Sequence, residues 1–113
     1  MTGLFEERVE FRMREVSDDP AAVRLALTGE LDLAVADMLG DRLWMLGNAG
    51  NAVRLDLSEL EFIDSSGLRE LIIAVSESRS NGWRIEIDPR MTEQIRRTIE
   101  LAGVRSCLWP DGG

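Results

Sequence analysis

Apolar and polar residues alternate from near the start of the chain. "VEFRMREV" (Val9 to Val16) sets Val9, Phe11 and Met13 on one face and charges on the other, the period of a half-buried strand. "SDDPAA" (Ser17 to Ala22) is turn chemistry: two acids, a proline and small residues. "VRLALTGELD" alternates again, with Val23, Leu25 and Leu27 on one side, so the first two strands are expected to form a hairpin. From Leu33 the period becomes helical: Val35, Leu39, Arg42 or Leu43, and Leu46 recur, and "GNAGN" (Gly47 to Asn51) stops the run. "AVRLDL" is a third strand with Val53, Leu55 and Leu57 inward, and "SELEF" reads as a turn after it. The next stretch, "LEFIDSSGLRELIIAV" (Leu60 to Val75), changes period in the middle. Before Asp64 it is the tail of an apolar strand. After Gly67, Leu68, Leu71, Ile72 and Val75 fit i, i+3, i+4, i+7, a helix to about Arg79 that "SNG" ends. "WRIEID" is a fourth strand, with Trp83, Ile85 and Ile87 on one face and Pro89 closing it. "MTEQIRRTIELAG" is a third helix, with Met91, Ile95, Thr98 or Ile99, and Ala102 inward and Gly103 as its stop; "VRSCLW" is a short last strand or an extended tail.

The order is therefore β-β-α-β-α-β-α, an α/β arrangement with an α+β-like opening hairpin. It implies a small mixed sheet of four to five strands, with parallel neighbours joined by crossover helices that cover one face. Spacing assigns Met38, Leu39, Leu43 and Leu46 to the core. Trp83 and Trp109 read as packing residues, and the Arg96-Arg97 pair as a solvated face. Trp44 lies off the buried stripe of its helix, which fits either an exposed partner anchor or partial burial at the sheet edge.

Composition narrows the chemistry. The 113 residues are enough for one domain, 44% are hydrophobic and 30% charged, as in ordinary globular chains. No apolar run approaches the roughly 20 residues of a membrane helix, and "MTGLFEERVEF" lacks the basic-then-apolar order of a secretory signal. The expectation is a cytoplasmic protein without a membrane partner, and Met1 fits a complete small protein. The lone Cys107 cannot form an internal disulfide. A net charge of −8 argues against binding nucleic-acid backbone. There is no His, which excludes imidazole bases and ligands. All 13 basic residues are Arg, which excludes Schiff-base and phosphate-loop lysine chemistry; a GC-rich genome would also produce that bias. Asp32, Asp56 and Asp64 are the only acids with any claim to converge on a metal, and cap or turn roles explain all three. No metal, no cofactor and no enzymatic activity are expected.

The joint at Asp64-Ser65-Ser66-Gly67 holds the open question. A helix N-terminus leaves backbone N–H groups without partners, and Asp64 or Ser65 can cap them; Glu70 lies too far along for a capping box. Gly67 permits close packing there. One cap needs one side chain, so a second hydroxyl is left in the first turn, where the helix dipole favours an anion such as an attached phosphate. A nucleophile elbow would want glycine two residues to each side of the serine. Here Gly67 adjoins Ser66, Ile63 and Asp64 precede the pair, and no His or Lys base exists. A phosphoaspartate receiver, which "VRLDL" resembles, is excluded by the missing lysine and the opening hairpin.

Two motifs together carry a family resemblance: "LTGELD" (Leu27 to Asp32) and "DLSELEFIDSSGLREL" (Asp56 to Leu71), with its Asp-Ser-Ser-Gly core. The chain resembles a STAS domain of the anti-sigma factor antagonist type, over a core of about residues 9–108 of a single domain, 1–113. The resemblance implies a STAS fold and a specific role. The unphosphorylated protein would bind an anti-sigma factor that is also a serine kinase, and so release a sigma factor. Phosphorylation on the second hydroxyl, Ser66, would switch binding off, and a metal-dependent serine phosphatase would restore it. By the same resemblance Asp32, Asp64, Ser65, Ser66 and Gly67 belong to the partner-binding surface of a monomer or weak dimer. ATP and magnesium would belong to the kinase. The alternative is a STAS interaction module of a stressosome-like scaffold or a lipid transporter; a nucleotide-binding role is a third possibility.

Overall fold

The computed structural model describes residues 10–19 and 22–112. Its elements are β1 (Arg12–Asp19), β2 (Ala22–Leu31), α1 (Leu33–Asn48), β3 (Ala52–Ile63), α2 (Ser65–Asn81), β4 (Arg84–Met91), α3 (Glu93–Ala102) and α4 (Arg105–Leu108). The four strands form one mixed sheet in the order β1-β2-β3-β4. β1 and β2 pair antiparallel as the hairpin (Met13 opposite Leu27), while β2-β3 and β3-β4 are parallel (Leu25 opposite Leu55, Leu55 opposite Ile87). The expected sheet and element order are both present, with four strands.

One face of the sheet carries the core. Leu25, Leu27 and Leu31 of β2, Val53, Leu55, Leu57, Leu60 and Ile63 of β3, and Ile85 and Ile87 of β4 join a single buried cluster. The same cluster takes in Leu39, Leu43 and Leu46 of α1, Leu68, Leu71 and Val75 of α2, Ile95 and Ile99 of α3, and Leu108, so the helices cover that face. The opposite face is a lattice of charges. Arg24 lies 3.8 Å from Asp56, and Arg54 reaches Glu86 at 3.3 Å and Asp88 at 3.2 Å. Arg90 reaches Asp88 at 3.1 Å. Hydrogen bonds from Arg90, against the pull of burial, and then from Arg54 hold the Asp88 carboxyl well below the usual carboxylate range.

Several expectations from the one-dimensional pattern need correction. "SELEF" is not a turn: β3 runs through it to Ile63. The turn-like residues form a bulge, with the Ser58 amide donating to Asp56 Oδ1 at 2.9 Å and the register shifting on both neighbours. Pro89 does not close β4, which continues to Met91. An edge strand tolerates proline because its outer side needs no ladder N–H, and β4 is an edge. Trp109 covers that edge, its indole N–H donating to the Ile87 carbonyl at 2.8 Å. Met91 is therefore a strand residue, and Ala102 is exposed, leaving Ile95 and Ile99 as the buried side of α3. "VRSCLW" is neither strand nor extended tail: it contains the one-turn helix α4. Met38 is exposed, not core; Ala36 takes the inward place in that turn. The helical spacing admits either Arg42 or Leu43; Leu43 faces inward, and Arg42 bonds Glu15 of β1 at 2.8 Å. Val9 lies outside the described residues, and Phe11 packs against the core just ahead of β1.

Candidate functional site

The N-termini of α1 and α2 are fastened to one another by a single carboxylate. Asp64 is the N-cap of α2: its Oδ1 accepts from the Gly67 amide at 2.9 Å. Its Oδ2 accepts from the Leu33 amide, the first residue of α1, at 3.2 Å. The Asp64 amide in turn donates to the Leu31 carbonyl at the end of β2, at 3.1 Å. Asp32 caps α1, its Oδ1 accepting from the Ala34 amide at 3.0 Å, and it is 8% exposed. Of the two capping candidates at the joint, then, Asp64 has the task and Ser65 does not.

Gly67 is where α2 closes on β2. A Cβ there would stand 2.7 Å from the Leu31 carbonyl oxygen and 2.8 Å from Ile63 Cγ1, distances that backbone and a buried side chain cannot relieve. The tight joint leaves the first two residues of α2 at the surface, Ser65 exposed and Ser66 half-buried. Neither hydroxyl has a hydrogen-bond partner among the described residues. The hydroxyl group of Ser66 thus stands in the first turn of a 17-residue helix, where free amides and the positive end of the dipole stabilise added negative charge. Asp32, Asp64, Ser65, Ser66 and Gly67 come together at this one end of the sheet, but they are not alike. Asp64 and Gly67 shape the joint, Asp32 caps the neighbouring helix, and the serines are free side chains on it.

Among the described residues no group of three or more Cys, Asp or Glu side chains could hold a metal ion. No helix of those residues is long and apolar enough to cross a membrane.

One arrangement near the site was not legible in the spacing of apolar residues. Glu70 of α2 reaches across to α1 above Gly40, where a Cβ would overlap its carboxylate. Burial, and then the neighbouring carboxylates Asp37, Glu77 and Asp41, push the Glu70 carboxyl above its ordinary value. About two turns further on, the Trp83 ring lies against Gly47, where a Cβ would stand 2.5 Å from it. Trp83 in turn meets Trp44 edge-on at 6.2 Å. The signal was present as Gly40 and Gly47, seven residues and so about two turns apart on one side of α1.

A family model described as "Mlab, STAS domain" matches residues 15–109, nearly the whole described chain. The chain belongs to the STAS domain family. This STAS domain is also similar to the anti-sigma-B factor antagonist of Bacillus subtilis, 20% identical over 94 residues that cover 83% of this chain and 85% of that one. Among solved structures it resembles an anti-sigma factor antagonist from Mycobacterium paratuberculosis, with a TM-score of 0.69 and 23% identity, covering 84% of this chain and 80% of that one. It resembles the antagonist SpoIIAA in its unphosphorylated form, with a TM-score of 0.68 and 18% identity over 82% of each chain. Against the phosphorylated form of the Bacillus protein the TM-score is 0.63, again at 18% identity, with 82% of this chain and 85% of that one covered. At these identities the structural likeness establishes the fold, the mixed α/β sheet of SpoIIAA.

Proposed function

We infer that this STAS domain is an anti-sigma factor antagonist, a binding module switched by phosphorylation on Ser66. The observation that carries the reading is the unpartnered Ser66 hydroxyl in the first turn of α2, set there by the Asp64 double cap. The unphosphorylated domain binds an anti-sigma factor and frees its sigma factor. That anti-sigma factor is the serine kinase, and a metal-dependent serine phosphatase reverses the modification. Ser65 and Ser66 form the exposed part of the contact surface, while Asp32, Asp64 and Gly67 hold its shape. A phosphate would add a charge of about −1.5 to −2 at the centre of that surface. The helix dipole tolerates it within the domain, so the switch works on docking and needs no refolding. The names of the relatives support this reading, as does a shared fold with a protein solved in both phosphorylated and unphosphorylated forms.

The test is phosphorylation by the cognate kinase and ATP, with the site mapped by mass spectrometry. Ser66→Ala should abolish labelling and keep partner binding, and Ser66→Asp should weaken it. Labelling of Ser66→Ala at the wild-type rate would move the acceptor elsewhere, Ser65 being the first place to look. Recovery of a transporter ATPase as the bound partner, with no anti-sigma factor, would transfer the domain to the lipid-transporter alternative.

A further inference from the structure

Four of the seven large apolar side chains exposed among the described residues lie on one helix. Leu33 is 75% exposed, Met38 54%, Trp44 52% and Met45 62%, all on α1. At about 100° per residue they fall in two rows. Leu33 and Trp44, eleven residues apart, lie next to the seam with α2. Met38 and Met45, seven apart, lie on the side nearer β1. Between the rows run Asp37 and Asp41, both exposed. The only basic residue of α1, Arg42, is turned to β1 and bonds Glu15 at 2.8 Å, so it does not neutralise this ridge.

The negative charge continues across the seam. Glu70 lies over Gly40, and its carboxyl is held above the ordinary value by burial and by Asp37, Glu77 and Asp41, with only Arg69 acting in the opposite sense. The helix thus presents an apolar row, an acidic row and a second apolar row, along roughly 18 Å of axis. It begins beside Asp64, whose carboxylate accepts from the Leu33 amide, and ends at the Trp44–Trp83 contact. Clustered exposed apolar side chains, interleaved with charge of one sign, mark a protein-binding surface.

We propose that the outer face of α1 is a docking surface for a basic amphipathic helix of a partner protein, one whose arginines or lysines lie over Asp37 and Asp41 and whose apolar side chains flank Leu33, Trp44 and Met45. Charge complementarity selects this occupant: a second copy of the chain would set acid against acid, and an anionic lipid surface would be repelled. The surface lies along the flank of the domain and runs from the Asp64 joint away from Ser66.

The test is titration of isotope-labelled protein with a synthetic 18-residue helical peptide of leucine and arginine, with a sequence-matched peptide carrying glutamate for arginine as control. The basic peptide should shift the amides of residues 33–48 and the neighbouring turn of α2, and the acidic peptide should shift none. Asp37→Asn with Asp41→Asn should weaken binding about tenfold, the loss of two exposed charge contacts. Met45→Ser should weaken it as well, with the melting temperatures of both variants close to wild type. Arg97→Ala, an exposed position on α3 outside both surfaces, should bind the peptide as wild type does. The proposal is overturned if both peptides bind alike, if the double asparagine variant binds undiminished, or if the shifts fall on the charged face of the sheet. It is overturned equally if sedimentation shows a dimer that Met45→Ser dissolves, since the occupant would then be a second copy.

Discussion

Replacing Asp64 with alanine removes two attachments at once, and their sizes can be worked out from the geometry. The Oδ1 contact to the Gly67 amide at 2.9 Å is an N-cap, worth about 1 kcal/mol. The Oδ2 contact to the Leu33 amide at 3.2 Å is a solvent-exposed hydrogen bond to a charged acceptor, worth about 1 kcal/mol. The charge also lies at the positive ends of two helices, which adds about 0.5 kcal/mol. Asp64→Ala should therefore destabilise the fold by about 2.5 kcal/mol. Asp64→Ser keeps a cap for α2, but its shorter side chain cannot also reach Leu33, so it should cost about 1.5 kcal/mol. Urea unfolding followed by tryptophan fluorescence reads both. With a slope of about 1.5 kcal/mol/M, the alanine variant should lose about 1.7 M in midpoint at constant slope. An alanine variant within about 0.5 kcal/mol of wild type would refute the double-cap account, as would equal losses for serine and alanine, since only the cap contact to the Gly67 amide separates them.

The remaining predictions concern the helix seam and the charged sheet face. Gly67→Ala should destabilise by about 2–3 kcal/mol, because its Cβ would meet the Leu31 carbonyl. Gly40→Ala should fall within about 1 kcal/mol of wild type, since the flexible Glu70 carboxylate can swing away while helix propensity improves; thermal melts of the pair read the contrast. Glu70→Gln should stabilise by about 0.5 kcal/mol at pH 7. The folded carboxyl binds its proton more tightly than the unfolded one, so the penalty is full above its raised folded pKa, and the gain should vanish below about pH 4 in a series of denaturation curves. Asp88→Asn should cost about 1–2 kcal/mol at neutral pH, discounted for the exposure of Arg54 and Arg90. Because the folded Asp88 carboxyl is depressed, its contribution is present above the unfolded pKa near 4 and is lost as the pH falls below it. The wild-type and asparagine curves should therefore converge in acid.

The sequence by itself determined the order of elements, the opening hairpin, the inward residues of three strands and the capped joint with one hydroxyl to spare. These follow from periods of two and 3.6 and from cap chemistry, which act over a few residues. It also determined what the protein lacks, since no fold can supply an absent histidine or lysine. Tertiary structure decided the rest. "SELEF" reads as a turn until pairing on both sides makes it a bulge within β3, and Pro89 reads as a stop until β4 proves to be an edge strand. Met38 reads as core because 3.6-residue spacing gives a stripe but not its width, and α1 buries Ala36 in that turn. Whether Asp64 or Ser65 caps α2 depended on a second helix bringing the Leu33 amide to within 3.2 Å of the same carboxylate. Contacts between residues 31 positions apart leave no periodic trace, which is why the double cap became visible only in the packed chain.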